Sequence, residues 1–267
     1  MKKNLLLVLD VGNTNIHLGI CRESELLTTW NVSNLEGRTG DEFGLFLKNL
    51  LQDGKIDSGE IGGAVVACVV PPVSAMIEET VGKLFGLKPL FIEPENSREL
   101  LALFNEPGEV GADRIANAVG GYHKYGGPLI VVDFGTATTF DAISSEGVYL
   151  GGAIAPGIAI SIEALFRKAA KLPRIELVRP SRAVGLNTVA SMQSGIIFGY
   201  AGLVEALVAR IRREIGEDAS VVATGGLARL IVRETGAVSR VDEHLTLDGL
   251  RLLYERHRGE ISPTKKA

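Results

Sequence analysis

The sequence predicts an α/β protein of two tandem domains, each a mixed sheet flanked by helices. Three observations carry this. First, the apolar run at 5–9 closes on Asp10 and a turn of small residues and amide donors, Val11-Gly12-Asn13-Thr14-Asn15. Second, the pattern returns at 129–132, closing on Asp133 and Phe134-Gly135-Thr136-Ala137-Thr138, 123 positions later in a chain of 267 residues. Third, each copy is followed by further strand patterns and then by alternating helical and strand-like stretches, the order of mixed sheets with helices packed on them. Lys124-Tyr125-Gly126-Gly127-Pro128 is the clearest punctuation, so the domains are expected over 1–126 and 127–267.

In chain order, 5–10 is the first strand, and Ile16, Leu18 and Ile20 alternate as a half-buried second strand requires. Residues 26–32 form a third, so the domain opens with an antiparallel meander. Phe43, Phe46, Leu47, Leu50 and Leu51 stand at helical spacing. A buried strand over 61–70 is stopped by Pro71-Pro72, a helix covers 73–85, and a short strand covers 89–92. A loop over 105–114 leads into a helix over 115–122. In the second half, strands are expected at 129–133, 139–143 and 148–154, then a long helix over 189–215 and a strand over 221–224 ending in Gly225-Gly226. The last helix belongs either with the second domain or back on the first.

Composition narrows the function. Hydrophobic residues at 46% and charged residues at 22% are those of a globular protein with a substantial core. The net charge of −4, with no long Lys/Arg cluster, argues against nucleic acid as a partner. Cys21 and Cys68 lie in apolar strand-like stretches and read as buried free thiols of a reducing compartment. Lys2 and Lys3 before a short apolar run imitate a signal peptide, but Asp10 interrupts the run. No unbroken run approaches the roughly 18 apolar residues that span a bilayer. The expectation is a cytoplasmic protein without a membrane partner.

The turn after Asp10 presents successive backbone N–H groups, and Gly12 admits an anion closely. Asn13, Thr14 and Asn15 add side-chain donors. Asp10 repels a phosphate unless a cation or its water shell stands between them. A lone copy of this turn is as well explained by local capping. Its recurrence at Asp133, with the hydroxyls of Thr136 and Thr138, points instead to a two-loop phosphate clamp. No Walker A or GxGxxG pattern is present, and Asp133-Phe134-Gly135 lacks the other protein-kinase motifs. A third glycine turn, Thr224-Gly225-Gly226, is a candidate face for an adenosine.

In Gly111-Ala112-Asp113-Arg114, Asp113 reads equally as a helix N-cap or as a carboxylate placed to take a proton from an alcohol. Arg114 offers a fork of donors to a carboxylate or phosphoryl group. The four histidines, at 17, 123, 244 and 257, have no metal-ligand spacing. Gly195, Gly199 and Gly202 lie within the long helix, where each costs about 1 kcal/mol relative to alanine. Such glycines suit close approach of another backbone, for which an intramolecular partner is the simpler expectation and the same helix of a second subunit the alternative.

Taken together, Asp10-Val11-Gly12-Asn13-Thr14-Asn15, Gly111-Ala112-Asp113-Arg114 and Asp133-Phe134-Gly135-Thr136-Ala137-Thr138 resemble the motifs of type III pantothenate kinases. So do Gly151-Gly152-Ala153-Ile154-Ala155-Pro156-Gly157 and the segment from Asn187 to Gly195. The resemblance runs in order from Asp10 to about Gly226. It implies two ribonuclease H-like domains of the actin/hexokinase/Hsp70-like ATPase superfamily, and a homodimer joined through the long helix with its active site near the subunit interface. It further implies transfer of the ATP γ-phosphate to pantothenate, with Asp113 as general base. Phe104, Gly111, Ala112, Asp113, Arg114 and Thr188 would contact pantothenate, Thr188 from across the dimer. Asp10, Val11, Gly12, Asn13, Thr14, Asn15, Ile16, His17 and Thr136 would meet ATP with Mg2+. Asp133 would hold a monovalent cation, potassium or ammonium.

Two positions depart from the pattern. Relatives commonly carry tyrosine where this chain has Phe104, and lysine where it has Leu186. Neither belongs to the phosphate clamp or to the implied base. The competing expectations are a sugar or acetate kinase of the same superfamily, and a non-catalytic nucleotide-binding accessory protein on the same scaffold.

Overall fold

The computed structural model describes residues 3–33, 37–97 and 109–259. They fall into two compact units, one of 3–97, 109–120 and 245–259, the other of 121–244.

The first unit is built on a five-stranded sheet of order β3-β2-β1-β4-β5. Its strands are β1 (Leu5–Val11), β2 (Asn15–Arg22), β3 (Glu25–Ser33), β4 (Ile61–Cys68) and β5 (Leu90–Phe91). β1 to β3 form the expected antiparallel meander, and β4 and β5 add in parallel on the other side. Every residue of 5–9 is buried, because helices cover both faces of β1, and this is why its sequence is an unbroken apolar run. Leu5, Leu7 and Leu9 pack with Ile16, Leu18 and Ile20 against helices α1 (Gly40–Asp53) and α2 (Pro71–Phe85).

Thr39 opens α1 with a reciprocal capping box to Glu42, and Phe43, Leu47 and Leu51 form its buried stripe. Pro71-Pro72, expected only to stop the strand, also start α2, where a missing N–H costs no helical bond.

The second unit repeats the plan. Its sheet has the order β10-β9-β6-β7-β8, with β6 (Leu129–Phe134), β7 (Ala137–Ile143), β8 (Tyr149–Pro156), β9 (Ser220–Thr224) and β10 (Arg240–Val241). Again three antiparallel strands come first and two parallel ones follow. Strand for strand this is the first sheet, so the duplication read from the two Asp-x-Gly turns is a duplication of topology.

The helices of this unit are α4 (Ile158–Lys168), α5 (Thr188–Ile215) and α6 (Ala228–Val232). Ile196, Tyr200, Ala201, Val204 and Val208 of α5 lie on the core with Ile130, Val132 and Phe134. By length and composition α5 could cross a membrane, with a mean hydropathy of 1.5 over its most apolar window. Its buried stripe on the sheet is that of a core helix.

Two further helices deserve account. α3 (Ala112–Tyr125) is longer at both ends than the predicted 115–122, and α7 (Leu245–His257) packs on β1, β2 and β4 in the first unit. The glycines of α5 correct the simpler expectation. A methyl added at Gly195, Gly199 or Gly202 would have no described atom within 4 Å, so no intramolecular backbone approaches them among the described residues.

Candidate active site

The loop after β1 is a tight hairpin turn. The Gly12 N–H donates to the Asn15 carbonyl at 3.0 Å, closing the turn with Asn13 and Thr14 exposed at its tip. Asp10, the half-buried last polar residue of β1, is the cross-strand partner of His17, and Val11 pairs with Ile16. Asp10 and His17 therefore share one face of the sheet, while Val11 and Ile16 are buried in the core. Of the nine residues expected at the nucleotide, Val11 and Ile16 thus have no exposed side chain to offer it.

The Gly111–Arg114 segment forms the start of α3. The Ile115 N–H donates to the Gly111 carbonyl at 3.1 Å, so Gly111 holds the N-cap place and Ala112 is the first helical residue. Asp113 is thus not the N-cap. It stands in the first turn, half-buried, and its carboxylate accepts from the Arg114 N–H at 2.9 Å. There it faces the unsatisfied N–H groups of the helix end, which favour an anionic side chain. Ala112 is buried and Arg114 half-buried. Phe104 lies outside the described residues.

In the second unit, the ends of β6 and β9 converge. Asp133 is flanked by Thr139 on β7 and by Thr224 on β9. A Cβ on Gly225, whose φ is +90, would lie 2.5 Å from Asp133 Oδ1. The carboxylate is therefore seated on the backbone of the third glycine turn, which only glycine permits. Across the same turn, a Cβ on Gly157 would come within 2.0 Å of the Thr136 carbonyl oxygen, so the start of α4 is packed directly beneath Gly135-Thr136. The structure brings together Asp133 and Thr136, Gly157 and Gly225 from three separate stretches of sequence. Thr138 does not join them. It pairs with Phe134 on the core face, fully buried, and its Oγ1 has no hydrogen-bond partner. Only Thr136 of the two hydroxyls stands at the turn.

Thr188 lies at the first turn of α5, where Asn187 caps the helix by accepting from the Ala190 N–H at 2.9 Å. With Leu165, Leu172, Ser191, Met192, Gly195 and Ile196 it lines a cavity of about 590 Å3. Ser191 and Met192 lie in the matching segment from Asn187 to Gly195. Leu165 and Leu172 escaped the sequence reading because nothing in the local pattern ties α4 to the start of α5.

Among the described residues no group of three or more His, Cys, Asp or Glu is placed to hold a metal. That donor set fits a divalent ion brought on nucleotide phosphates and met by a single carboxylate such as Asp10. Asp133, flanked by hydroxyl-bearing residues, fits a hard monovalent cation, which takes oxygen ligands.

The comparisons with known proteins concern the family and the fold. The sequence model of the family described as type III pantothenate kinase matches residues 6–210. A type III pantothenate kinase of Moorella thermoacetica is 54% identical over 253 residues, covering 95% of this chain and all of that protein. Among solved structures, a conserved putative Baf family transcriptional activator from Campylobacter jejuni matches with a TM-score of 0.60 at 18% identity, over 96% of this chain and 100% of that one. A ROK hexokinase from Thermus thermophilus matches with a TM-score of 0.53 at 14% identity, over 95% and 99% respectively. At such identities these two structures speak to the fold alone, which is that of the actin-like ATPases.

Proposed function

The chain belongs to the type III pantothenate kinase family, and we infer from this that it transfers the γ-phosphoryl group of ATP to pantothenate. The product is 4'-phosphopantothenate, in the first step of coenzyme A biosynthesis. The observation that carries the assignment is the near full-length match to a pantothenate kinase. The two Asp-x-Gly turns, on sheets of the same topology, give it a physical basis.

Phosphoryl transfer asks a protein mainly for positioning and charge neutralisation. The primary hydroxyl of pantothenate attacks the γ-phosphorus as the bond to the β,γ-bridging oxygen breaks. Its proton passes to the carboxylate of Asp113, and ADP leaves. The place of Asp113 in the first turn of α3, half-buried and held by the Arg114 N–H, supports this role. Arg114 supplies donors to the substrate carboxylate or to the moving phosphoryl group. Gly111 and Ala112 form the neighbouring wall. The turn from Asp10 through His17 contacts the ATP phosphates, and Thr136 adds a hydroxyl. Magnesium, when bound with ATP, neutralises phosphate charge. A potassium or ammonium ion at Asp133 adds a fixed positive charge.

We further propose a homodimer in which α5 meets its copy, with Thr188 reaching the partner's pantothenate. The exposed glycines of α5 support this, as do the exposed Leu186 and Val189 beside them. A cytoplasmic location fits an enzyme that uses ATP.

The test is release of ADP on adding pantothenate, with and without potassium or ammonium. Turnover that needs both pantothenate and the monovalent cation is expected. Absence of pantothenate-dependent turnover would leave the nucleotide-binding accessory protein as the better reading.

A further inference from the structure

Asp141 is a carboxylate with 0% exposure, eight residues beyond the Asp133 turn, and the transfer mechanism gives it no part. Its Oδ1 accepts from the Tyr149 hydroxyl at 2.9 Å, and its Oδ2 accepts from the Thr139 hydroxyl at 3.5 Å, the long end of the range. Thr139 is the direct cross-strand partner of Asp133. Directly opposed residues of an antiparallel pair share a sheet face, with Cβ atoms about 5 Å apart. So Tyr149, Asp141, Thr139 and Asp133 follow one another along a single face, from the buried edge toward the turn.

The order has a chemical consequence. A threonine hydroxyl has one proton and two lone pairs. With its proton directed to Asp141, Thr139 Oγ1 is left as an acceptor on the side of Asp133. An acceptor oxygen beside a carboxylate suits a cation and does not suit an anion. The Tyr149 hydroxyl in turn holds the Asp141 carboxylate in place, and burial makes that arrangement costly to disturb.

We infer that Thr139 is a second oxygen ligand to the monovalent cation at Asp133, and that Asp141 and Tyr149 are positioning residues that orient its hydroxyl. The inference rests on the reading that Asp133 holds that cation. It differs from it in predicting that two fully buried residues, Asp141 on the adjacent strand and Tyr149 one strand further, govern cation affinity.

The experiment measures cation binding without turnover. Thermal unfolding midpoints of the whole protein are recorded against KCl, with choline chloride keeping ionic strength constant. A ligand at free concentration c stabilises the native state by RT ln(1 + c/Kd), so the rise of the midpoint with concentration yields the half-saturating concentration. Potassium raises the wild-type midpoint. Thr139→Val increases the half-saturating potassium concentration by about tenfold and Thr139→Ser restores it, while Tyr149→Phe moves it in the same direction as Thr139→Val. Should Thr139→Val not fold, Tyr149→Phe and Thr139→Ser carry the comparison. An unchanged potassium midpoint in Thr139→Val or Tyr149→Phe, with a response abolished in Asp133→Asn, overturns the inference and leaves the Asp133 reading standing. A wild type that does not respond to potassium, or an Asp133→Asn variant that responds normally, overturns both.

Discussion

At the scale of single residues, the surroundings decide whether a reactive group can act. Asp113 sits half-buried in the first turn of a helix, where a carboxylate is favoured and accessible. Replacing it with asparagine keeps the shape and removes the proton acceptor. We expect Asp113→Asn to lower kcat by at least ~10² with little change in ATP affinity, measured by steady-state kinetics and nucleotide titration. Near-normal turnover would remove Asp113 as the base.

Cys21 shows the contrary case of a reactive group made inert. Burial pushes its thiol up to about 12; Arg251 pulls against this, while Asp248 and Glu255 push it further. At pH 8 it is therefore a thiol, and alkylation of the native protein should modify it at least ~10² more slowly than an ordinary cysteine. Mass mapping after brief iodoacetamide treatment should find Cys21 unmodified until the protein is unfolded. Rapid native labelling would contradict its burial. Both cysteines were legible from sequence as free thiols; Cys21 is buried as its apolar neighbours indicated, whereas Cys68, at the end of β4, is only half-buried. Asp113 was only half legible, because a helix cap and a base look alike until the first hydrogen bond of the helix is seen.

At the scale of elements, close packing and one ion pair decide what sequence patterns conceal. α7 was expected only as a last helix without bounds, because its buried face includes Asp248, Arg251 and Gly249 as well as leucines. Arg251 is paired with Glu255 one turn on, at 2.5 Å, so charge at a core position did not read as core. A Cβ on Gly249 would lie 1.9 Å from the Ala116 carbonyl oxygen on α3. Gly249→Ala should thus destabilise the protein by more than ~2 kcal/mol, measured by urea unfolding, despite alanine's better helix propensity. α4 escaped for a different reason. Its Ile160 and Leu165 are exposed, so the apolar stripe that announces a helix is blurred.

The end of α3 is fastened to β10 by Asp242, which accepts from Lys124 Nζ and from the Tyr125 hydroxyl, both at 2.8 Å. Burial pushes the Asp242 carboxyl up, but those hydrogen bonds outweigh it and hold the group below its ordinary value of 3.8. A depressed carboxyl contributes stability above its unfolded value and loses it as the pH falls through the folded one. Asp242→Asn should therefore cost about 1–3 kcal/mol at pH 7. The gap to wild type in urea midpoints should close as the pH falls below about 4. A gap independent of pH would show that the charge of Asp242 is not what fastens the two elements.

At the scale of the whole molecule, the duplication was legible because both copies keep the same signature at the same strand end. The third strand end was harder to read. Gly225-Gly226 read only as a candidate face for an adenosine, and the seat of Asp133 on Gly225 is what ties it to the second Asp-x-Gly turn. The exposed glycines of α5 are the opposite lesson, since sequence gave their spacing but not what stands opposite them. If a second copy of α5 does, Gly199→Leu should convert a dimer to a monomer in sedimentation velocity and reduce turnover through loss of the partner's Thr188. A wild-type protein that sediments as a monomer, or a variant that stays dimeric, would contradict the proposed interface.

The account as a whole stands on the identity of the acceptor. The most direct test incubates the protein with ATP, magnesium, potassium and pantothenate and identifies the product by mass and phosphorus spectroscopy, with Asp113→Asn in parallel. The account predicts 4'-phosphopantothenate and ADP in equal amounts from the wild type, with product formation sharply reduced in Asp113→Asn. ATP bound or hydrolysed with no phosphate on pantothenate, or equal product from both proteins, would contradict it.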